Sequence, residues 1–226
     1  MDTNEHEFTK HLIIATRNPH KTREIQRILG ADYAISDLCE YPEIPEAVES
    51  GRTFEENAVL KAIAASEQLP GLILADDSGL EVDLLGGRPG IYSARYAGQN
   101  ASDKQNIDKL LRELARTGSK QDERRARFRC VLAHARDGQI LGIFQGTVEG
   151  TIANQARGEQ GFGYDPVFIP EGFKQTFAQL PAEVKDSISH RARAIRSLRA
   201  ELDAHPADQG PGGGGGAPGG GGAGPG

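Results

Sequence analysis

Apolar residues along the chain alternate between short continuous runs and segments with helical spacing, which is typical of an α/β or mixed α+β domain. The runs at residues 11–15 and 72–75 predict two buried strands. Residues 125–134 alternate between apolar and polar positions, Asp137-Gly138 is a hairpin turn signal, and residues 140–151 predict the returning strand. The pattern contains no internal repeat.

Four segments carry apolar residues three or four positions apart, as helices do. Thr53 with Glu56, and Ser102 with Gln105, have the spacing of a capping box. The first predicted helix ends at Gly30. The other three run from Thr53 to Pro70, from Ser102 through Leu114, and from about His190 to Ala204.

The two ends of the chain differ from its middle in composition. Residues 206–226 hold 12 of the 29 glycines, with proline and alanine between them, and predict a disordered tail. Residues 1–10 are polar and acidic, which favours a loose leader over a signal peptide. We therefore expect one folded domain over residues 11–205, long enough to bury its own core.

Charge and cysteine content exclude several classes of protein. Asp and Glu number 32 against 26 Lys and Arg, a net charge of −6 that disfavours general nucleic-acid binding. No apolar run approaches the roughly 18 residues that a membrane span requires. Cys39 and Cys130 stand far apart without a CxxC motif, so we expect two small buried side chains in a reducing compartment. These features predict a cytoplasmic protein that binds neither nucleic acid nor membrane.

The first of four polar segments, Thr16 to Lys21, lies between a predicted strand and a helix. Backbone amides at a helix start can bind a phosphate, and Lys21 would add a full positive charge. The segment lacks the GxxxxGK[ST] spacing of a Walker A loop. The alternative is that Thr16 or Asn18 is an ordinary helix cap and Lys21 a solvated surface charge.

The second segment places Asp76 and Asp77 directly after a buried strand. Adjacent carboxylates repel each other, and a divalent cation or a raised pKa relieves the repulsion. Mg²⁺ suits such a place because it takes few protein oxygens and completes its shell with water and phosphates. Glu49 could add a third carboxylate. The alternative is a turn with solvated acids.

The third and fourth segments could face a nucleotide base. Residues 161–166 form a loop rich in glycine, in which Phe162 and Tyr164 could stack on a flat base; the alternative is a tight turn with two core aromatics. Lys185 and Arg191 come together where the last helix begins, which suggests an anion or a carbonyl oxygen. His190 beside them has a simpler explanation as a capping or packing group.

Taken in order, these segments resemble the inosine triphosphate pyrophosphatase family, the deaminated-purine (XTP/dITP) pyrophosphatases of nucleotide-pool cleansing. The resemblance extends from about His11 to Leu202. The six matching motifs are Thr16-x-Asn18-x-x-Lys21, Gly51-x-Thr53-Phe54-x-Glu56-Asn57-Ala58, Ala75-Asp76-Asp77-Ser78-Gly79-Leu80, Gly86-Gly87-x-Pro89-Gly90-x-x-Ser93-Ala94-Arg95, Gly161-Phe162-Gly163-Tyr164-Asp165-Pro166 and Ser189-His190-Arg191.

The resemblance implies that water cleaves ITP, dITP or XTP to the nucleoside monophosphate and pyrophosphate. It also implies a Mg²⁺ requirement, a homodimer, and an elongated α/β fold with a long central mixed sheet, two lobes and the nucleotide in a cleft between them.

The resemblance assigns a role to each matching residue. Asp77 corresponds to the general base and metal ligand, Glu49 to a second carboxylate at the metal, and Ser78 to a substrate contact. The triphosphate turn comprises Thr16, Arg17, Asn18, Pro19, His20 and Lys21. Phe162, Gly163, Tyr164 and Asp165 correspond to the loop that contacts the base and ribose. Lys185 corresponds to a lysine that contacts the nucleotide, and His190 with Arg191 to the pair that reads the base.

Several questions stay open at this point. The position after Thr16 is commonly glycine in the family, so Arg17 would strain the turn if its φ were positive, or it could add a phosphate contact. Spacing alone does not separate Asp76 from Asp77 as the base. A non-catalytic purine-nucleotide sensor and a pyrophosphatase for damaged pyrimidines are the competing functions. The paired acids disfavour the sensor, and the motif at 189–191 disfavours the pyrimidine enzyme.

Overall fold

The computed structural model describes residues 10–204, which form a mixed six-stranded sheet covered by helices. The strands are β1 (Lys10–Ile14), β2 (Tyr33–Asp37), β3 (Leu72–Val82), β4 (Arg125–Arg136), β5 (Gln139–Ile152) and β6 (Phe168–Pro170). They pair in the order β2-β1-β3-β4-β5-β6, parallel from β2 to β3 and antiparallel from β3 to β6. The expected α/β fold with a long central mixed sheet is therefore confirmed.

Within residues 10–204, five α-helices connect and cover the strands: α1 (Pro19–Leu29), α2 (Phe54–Ser66), α3 (Asp103–Arg116), α4 (Ala182–Ile188) and α5 (His190–Ala204). The capping box of α3 forms as predicted, with Ser102 and Gln105 each accepting from the other's backbone amide. Asp137 and Gly138 both have positive φ and close the β4–β5 hairpin. None of the helices between residues 10 and 204 is long and apolar enough to cross a membrane.

Three groups of buried apolar side chains hold these elements together. One lies between α2 and one face of the sheet, around Ile13, Ile73 and Ala62. A second lies on the opposite face under α1 and α5. The third lies at the other end of β3, β4 and β5, where α3 and Phe168 pack. Since β3 contributes to all three groups, it passes through the middle of the molecule.

The structure corrects several expectations about the elements. The sequence did not predict β2, β6 or α4. Each is a short segment, and its apolar residues are too few to show a helical or strand period. β3 does not end before Asp76 but continues to Val82, since residues 73–82 all pair with β4. Lys185 lies on α4 rather than where the last helix begins, and α5 starts at His190.

Two further expectations concern the cysteines and the ends of the chain. Cys130 is buried as expected, but Cys39 is exposed, because it lies in the turn after β2 with its amide bonded to Asp37 Oδ1 at 2.9 Å. Lys10 is already part of β1. The rest of the expected leader, residues 1–9, and the expected tail, residues 206–226, lie outside the described residues.

Candidate active site

The turn between β1 and α1 is held by hydrogen bonds of its own side chains. Asn18 is the N-cap of α1, and its Oδ1 accepts from the backbone amides of His20 at 2.9 Å and Lys21 at 3.4 Å. The Oγ1 of Thr16 accepts from the backbone amide of Asn18 at 3.1 Å. Pro19 begins the helix, where its fixed φ suits the first turn. The interpretation of Asn18 as a helix cap is therefore confirmed.

Lys21 reaches from this turn to the centre of β3 and is not a solvated surface charge. Its Nζ lies 2.6 Å from Oδ1 of Asp76, a carboxylate that is completely buried. Arg191 Nε lies 2.9 Å from the other oxygen, and Ser78 Oγ donates to Oδ1 at 2.9 Å. Burial alone would raise the pKa of Asp76, but the charges of Arg191 and Lys21 outweigh it and hold the pKa well below its ordinary value. Asp76 is therefore a fixed anion that joins α1, β3 and α5.

Asp77, the next residue of the strand, has a different environment. Its Oδ1 lies 3.2 Å from Lys61 Nζ, whereas its Oδ2 is buried and has no hydrogen-bond partner within residues 10–204. Burial raises the pKa of Asp77, although the charges of Lys61 and Lys21 oppose the rise. The alternative of a turn with solvated acids is wrong for both residues, because both are buried within a strand. Of the two, Asp77 keeps an oxygen available for a ligand.

Glu49 faces Asp77 across one lysine. Lys61 Nζ lies 3.0 Å from Glu49 Oε1, and Arg95 Nη1 lies 2.9 Å from Glu49 Oε2. Burial would raise the pKa of Glu49, but Lys61 and Arg95 outweigh it and lower the pKa. The carboxylates of Glu49 and Asp77 therefore meet at a single ammonium group, which also donates to the backbone carbonyl of Asp76 at 2.8 Å.

Lys61 is a site residue that sequence reasoning did not single out. It projects from the buried face of α2, where Ala58, Ala62 and Ala65 pack against the sheet. A lysine among small buried residues on one helix face was the available signal, because such a side chain requires carboxylate partners.

The described residues offer two carboxylates to a divalent cation. No group of three or more His, Cys, Asp or Glu side chains between residues 10 and 204 is arranged to hold a metal. Mg²⁺ needs few protein ligands, because water and phosphate oxygens complete its shell. The carboxylate of Glu49 and the unpartnered Oδ2 of Asp77 are hard oxygen donors close to the same point, so they fit such an ion.

The glycine loop is shaped by Asp165. Its Oδ2 accepts a hydrogen bond from the backbone amide of Phe162 at 2.9 Å and lies 2.5 Å from Lys185 Nζ. A Cβ on Gly161 would lie 2.0 Å from the same oxygen, and Gly161 has a φ of +77°, so only glycine fits there. Tyr164 is buried in the core, as the simpler alternative had it, whereas the ring of Phe162 remains partly exposed.

A chain of buried ion pairs connects this loop to β3. Lys185 binds Asp165 on one side and Glu24 on the other, and Glu24 also binds Arg191. Burial would raise the pKa of Glu24, but Arg191 and Lys185 lower it to about 2. Glu24 was missed from the sequence, although its position three residues after Lys21 places both on one face of α1.

His190 begins α5 and is held against β4 and β5. Its ring stacks on Phe128 with centroids 4.8 Å apart, and its Nδ1 is buried without a hydrogen-bond partner in the described structure. Burial and the charges of Arg191 and Lys185 lower its pKa well below the ordinary value, so the imidazole is neutral at pH 7. A Cβ on Gly146 of β5 would lie 2.0 Å from the His190 carbonyl, so the helix start can approach the strand only over a glycine.

Most of the predicted site residues line two adjoining hollows of one cleft. Thr16 lines only the hollow that also contains Lys61. Arg17, Pro19 and His20 belong to neither lining, although the His20 ring stacks on Phe162 at 5.2 Å between centroids. The hollow on the side of the glycine loop is lined by Asn18, Lys21, Glu49, Asp77, Ser78, Phe162, Gly163, Tyr164, Asp165, Lys185, His190 and Arg191 among others.

Comparison with other proteins connects this cleft to a family. A model of the Ham1 family matches residues 12–201. A dITP/XTP pyrophosphatase of Bacillus subtilis is 47% identical over 196 residues, which cover 86% of this chain and 98% of the relative. A dITP/XTP pyrophosphatase of Geobacillus kaustophilus is 50% identical over 191 residues, which cover 84% of this chain and 92% of the relative.

Solved structures give the same result for the fold. The Ham1 protein of Staphylococcus aureus superimposes with a TM-score of 0.76 at 45% identity, covering 87% of this chain and 100% of that chain. A HAM1 protein from Coxiella burnetii superimposes with a TM-score of 0.76 at 38% identity, covering 86% of this chain and 99% of that chain.

Proposed function

The chain belongs to the Ham1 family, and from that premise we propose that it hydrolyses non-standard purine nucleoside triphosphates such as dITP, XTP and ITP. The products are the nucleoside monophosphate and pyrophosphate. The domain that does this includes the described residues 10–204. Its role is to remove deaminated purines from the nucleotide pool.

The observation that carries this proposal is the unpartnered carboxylate oxygen of Asp77. It is buried in the cleft between the turn that begins α1 and the glycine loop. Asp76, the only other acid of that motif, has its carboxylate engaged by Lys21, Arg191 and Ser78. Asp77 is therefore the carboxylate of this pair that can accept a proton or hold a cation.

We assign the cation site to Glu49 and Asp77 and propose Mg²⁺ as its occupant, because both ligands are carboxylates and the substrate brings further oxygens. When bound, Mg²⁺ would neutralise phosphate charge and favour departure of pyrophosphate. Lys61 lies between the two carboxylates and prevents their mutual repulsion from opening the site.

In the proposed reaction, Asp77 takes a proton from a water molecule as the water oxygen bonds to the α-phosphorus. The bond between the α-phosphorus and the bridging oxygen breaks, and its electron pair leaves with pyrophosphate. General-base assistance of this kind contributes roughly 10²–10⁴-fold to a rate. Lys21 and Arg95 line the cleft and can turn towards the phosphate oxygens.

The purine base of the nucleotide lies on the other side of the cleft, against the ring of Phe162. Stacking supplies affinity but little discrimination, because every purine has a π face. Four hydrogen bonds from Arg191 to Glu24, Asp76 and Ser78 leave one of its five N–H groups for a 6-oxo group. Adenine presents an amino donor there and is rejected. The 2-amino group of guanine would be left buried without an acceptor, at a cost of about 1–3 kcal/mol.

We propose a homodimer that acts in the cytoplasm on free nucleotides and binds no nucleic acid. Light scattering coupled to gel filtration would measure the mass in solution, and a mass of 24.2 kDa would contradict the dimer.

The test is a product assay with four substrates. Purified full-length protein is incubated with ITP, XTP, dATP and a modified pyrimidine triphosphate, with and without Mg²⁺. The proposal predicts pyrophosphate from ITP and XTP, little product from dATP or the pyrimidine, and no turnover after chelation of the metal.

Other outcomes would identify the competing functions. Binding of ITP without any product would indicate a nucleotide sensor. Preferential cleavage of the modified pyrimidine would indicate the other pyrophosphatase class, and release of single phosphate would exclude cleavage at the α-phosphorus.

A further inference from the structure

Glu49 lies in a segment that has no regular structure of its own. Residues 45–50 form neither helix nor strand, and the neighbouring Val48 is 80% exposed. The position of Glu49 therefore depends on the ion pairs of its carboxylate with Lys61 and Arg95 and on how the two ends of this segment are anchored.

One end of the segment is anchored to α2. The backbone amide of Gly51 donates to Asn57 Oδ1 at 2.9 Å, and the amide of Arg52 donates to Glu56 Oε2 at 2.6 Å. Asn57 is completely buried, so this anchor is part of the core.

The other end is anchored by Arg17. Its guanidinium donates to the carbonyl oxygens of Leu38 at 2.5 Å, Ile44 at 2.6 Å and Tyr41 at 3.4 Å. The chain between β2 and residue 44 is thereby bound to the turn that begins α1. A second link lies beside the first, where the Leu38 amide donates to the Thr16 carbonyl at 3.1 Å.

Neither sequence-based expectation for Arg17 describes these contacts. The turn is not strained at this position, because Asp137 is the only non-glycine residue with positive φ between residues 10 and 204. Arg17 belongs to neither lining of the cleft, and its guanidinium donates to backbone carbonyls of residues 38–44, of which Leu38 borders the hollow that contains Lys61. A planar guanidinium with five donors suits three separate acceptors, which a single ammonium matches poorly.

We propose that Arg17 is a positioning residue: it clamps residues 38–44 to the phosphate turn so that Glu49 is held beside Asp77 for the metal ion. This inference rests on the proposed function for the identity of the metal and the reaction. It differs from a phosphate contact because it predicts a change in the metal requirement rather than in nucleotide affinity.

The first experiment measures the clamp without metal or substrate. Amide hydrogen exchange is compared for metal-free full-length protein, Arg17→Met and Arg17→Lys. Residues 38–49 should exchange faster in Arg17→Met and at an intermediate rate in Arg17→Lys. Arg116→Met is the matched control, because Arg116 is an exposed arginine at the end of α3. Unchanged exchange in Arg17→Met would overturn the inference.

The second experiment separates positioning from phosphate binding. ITP hydrolysis is measured over a range of Mg²⁺ concentrations, and Mn²⁺ binding without nucleotide is followed by electron paramagnetic resonance. Arg17→Met should raise both the half-maximal Mg²⁺ concentration and the Mn²⁺ Kd by roughly tenfold, as loss of an outer-shell support does. The KM for ITP at saturating Mg²⁺ should stay within about twofold, and Arg17→Lys should recover part of the metal affinity.

The outcomes distinguish this inference from the proposed function. A raised KM with an unchanged metal requirement would make Arg17 a phosphate ligand and overturn the clamp. Should wild-type protein fail to hydrolyse ITP at any Mg²⁺ concentration, the proposed function fails, while hydrogen exchange and Mn²⁺ binding still decide on the clamp. Circular dichroism identifies a variant that has not folded, in which case Arg17→Lys alone is compared with wild type.

Discussion

Asp76 and Asp77 are adjacent in the chain but extend to opposite faces of β3, as successive residues of a strand do. Asp76 meets Lys21 of α1 and Arg191 of α5 on one face, whereas Asp77 meets Lys61 of α2 on the other. Two acids that would repel each other in a turn thus lie on opposite faces of the strand and contact different partners.

This separation predicts different effects of removing each charge. Asp77→Asn should lower kcat by at least about 10²-fold, since it removes the proposed base, while ITP binding remains measurable. Pyrophosphate release gives the rate, and titration calorimetry gives the binding. A variant with a near-normal rate would exclude Asp77 from the mechanism.

Asp76→Asn should act mainly on stability. It removes the anion between Lys21 and Arg191, both of which are largely buried, and loss of one partner from a buried ion pair costs about 3–5 kcal/mol. Urea unfolding followed by circular dichroism measures the change. If Asp76→Asn is as stable as Asp77→Asn, the assignment of Asp76 as a structural anion is wrong.

Lys61 should control the pH dependence of the rate. Its charge opposes the rise that burial gives to the pKa of Asp77, so Lys61→Met should raise that pKa further. The base must be ionised to act, so the acidic limb of the kcat/KM profile should move to higher pH. Lys104→Met is the control, because Lys104 is exposed on α3. An acidic limb that stays in place would contradict the role of Lys61.

Glu24 should make stability depend on pH in acid. Its folded pKa is about 2, below the value of 4.5 for a free glutamate, so its contribution is complete above pH 4.5 and is lost as the pH falls towards 2. Glu24→Gln should be less stable at pH 7, and the difference from wild type should shrink over that range. Urea titrations at several pH values measure it, and a constant difference would contradict the assignment.

Arg191 should affect the choice of base. Because Arg191 is buried among carboxylates, Arg191→Lys is preferable to alanine: it keeps the charge but loses the guanidinium geometry. The value of kcat/KM should fall more for ITP than for ATP. Arg196→Lys on the exposed face of α5 is the control. Equal losses for both nucleotides would indicate that Arg191 only holds Asp76 and Glu24 in place.

The sequence was most informative where structure depends on neighbouring residues. The capping box at Ser102 and the turn at Asp137-Gly138 were predictable, because their interactions span only a few positions. The course of β3 beyond Ala75 was not, since acidic residues and a glycine disfavour a strand locally and only pairing with β4 overrides them.

The candidate site follows the same division. The motifs brought Asp77, Lys21 and Arg191 into consideration, but the partners of these residues depend on packing between distant segments. Glu24 and Lys61 are charged side chains on helices, and their burial follows from how α1 and α2 dock on the sheet. Likewise, the three carbonyls that Arg17 binds come together only when the segment after β2 folds back.

The ion pairs of the cleft have a consequence for how a triphosphate enters it. Lys21, Lys61, Arg95, Lys185 and Arg191 contribute five positive charges, and Glu24, Glu49, Asp76, Asp77 and Asp165 contribute five negative charges that neutralise them. The cleft is therefore electroneutral at these ten side chains and holds no surplus of positive charge to attract an anion. A substrate with nearly four negative charges must arrive with its own counterions or exchange partners with the pairs already formed.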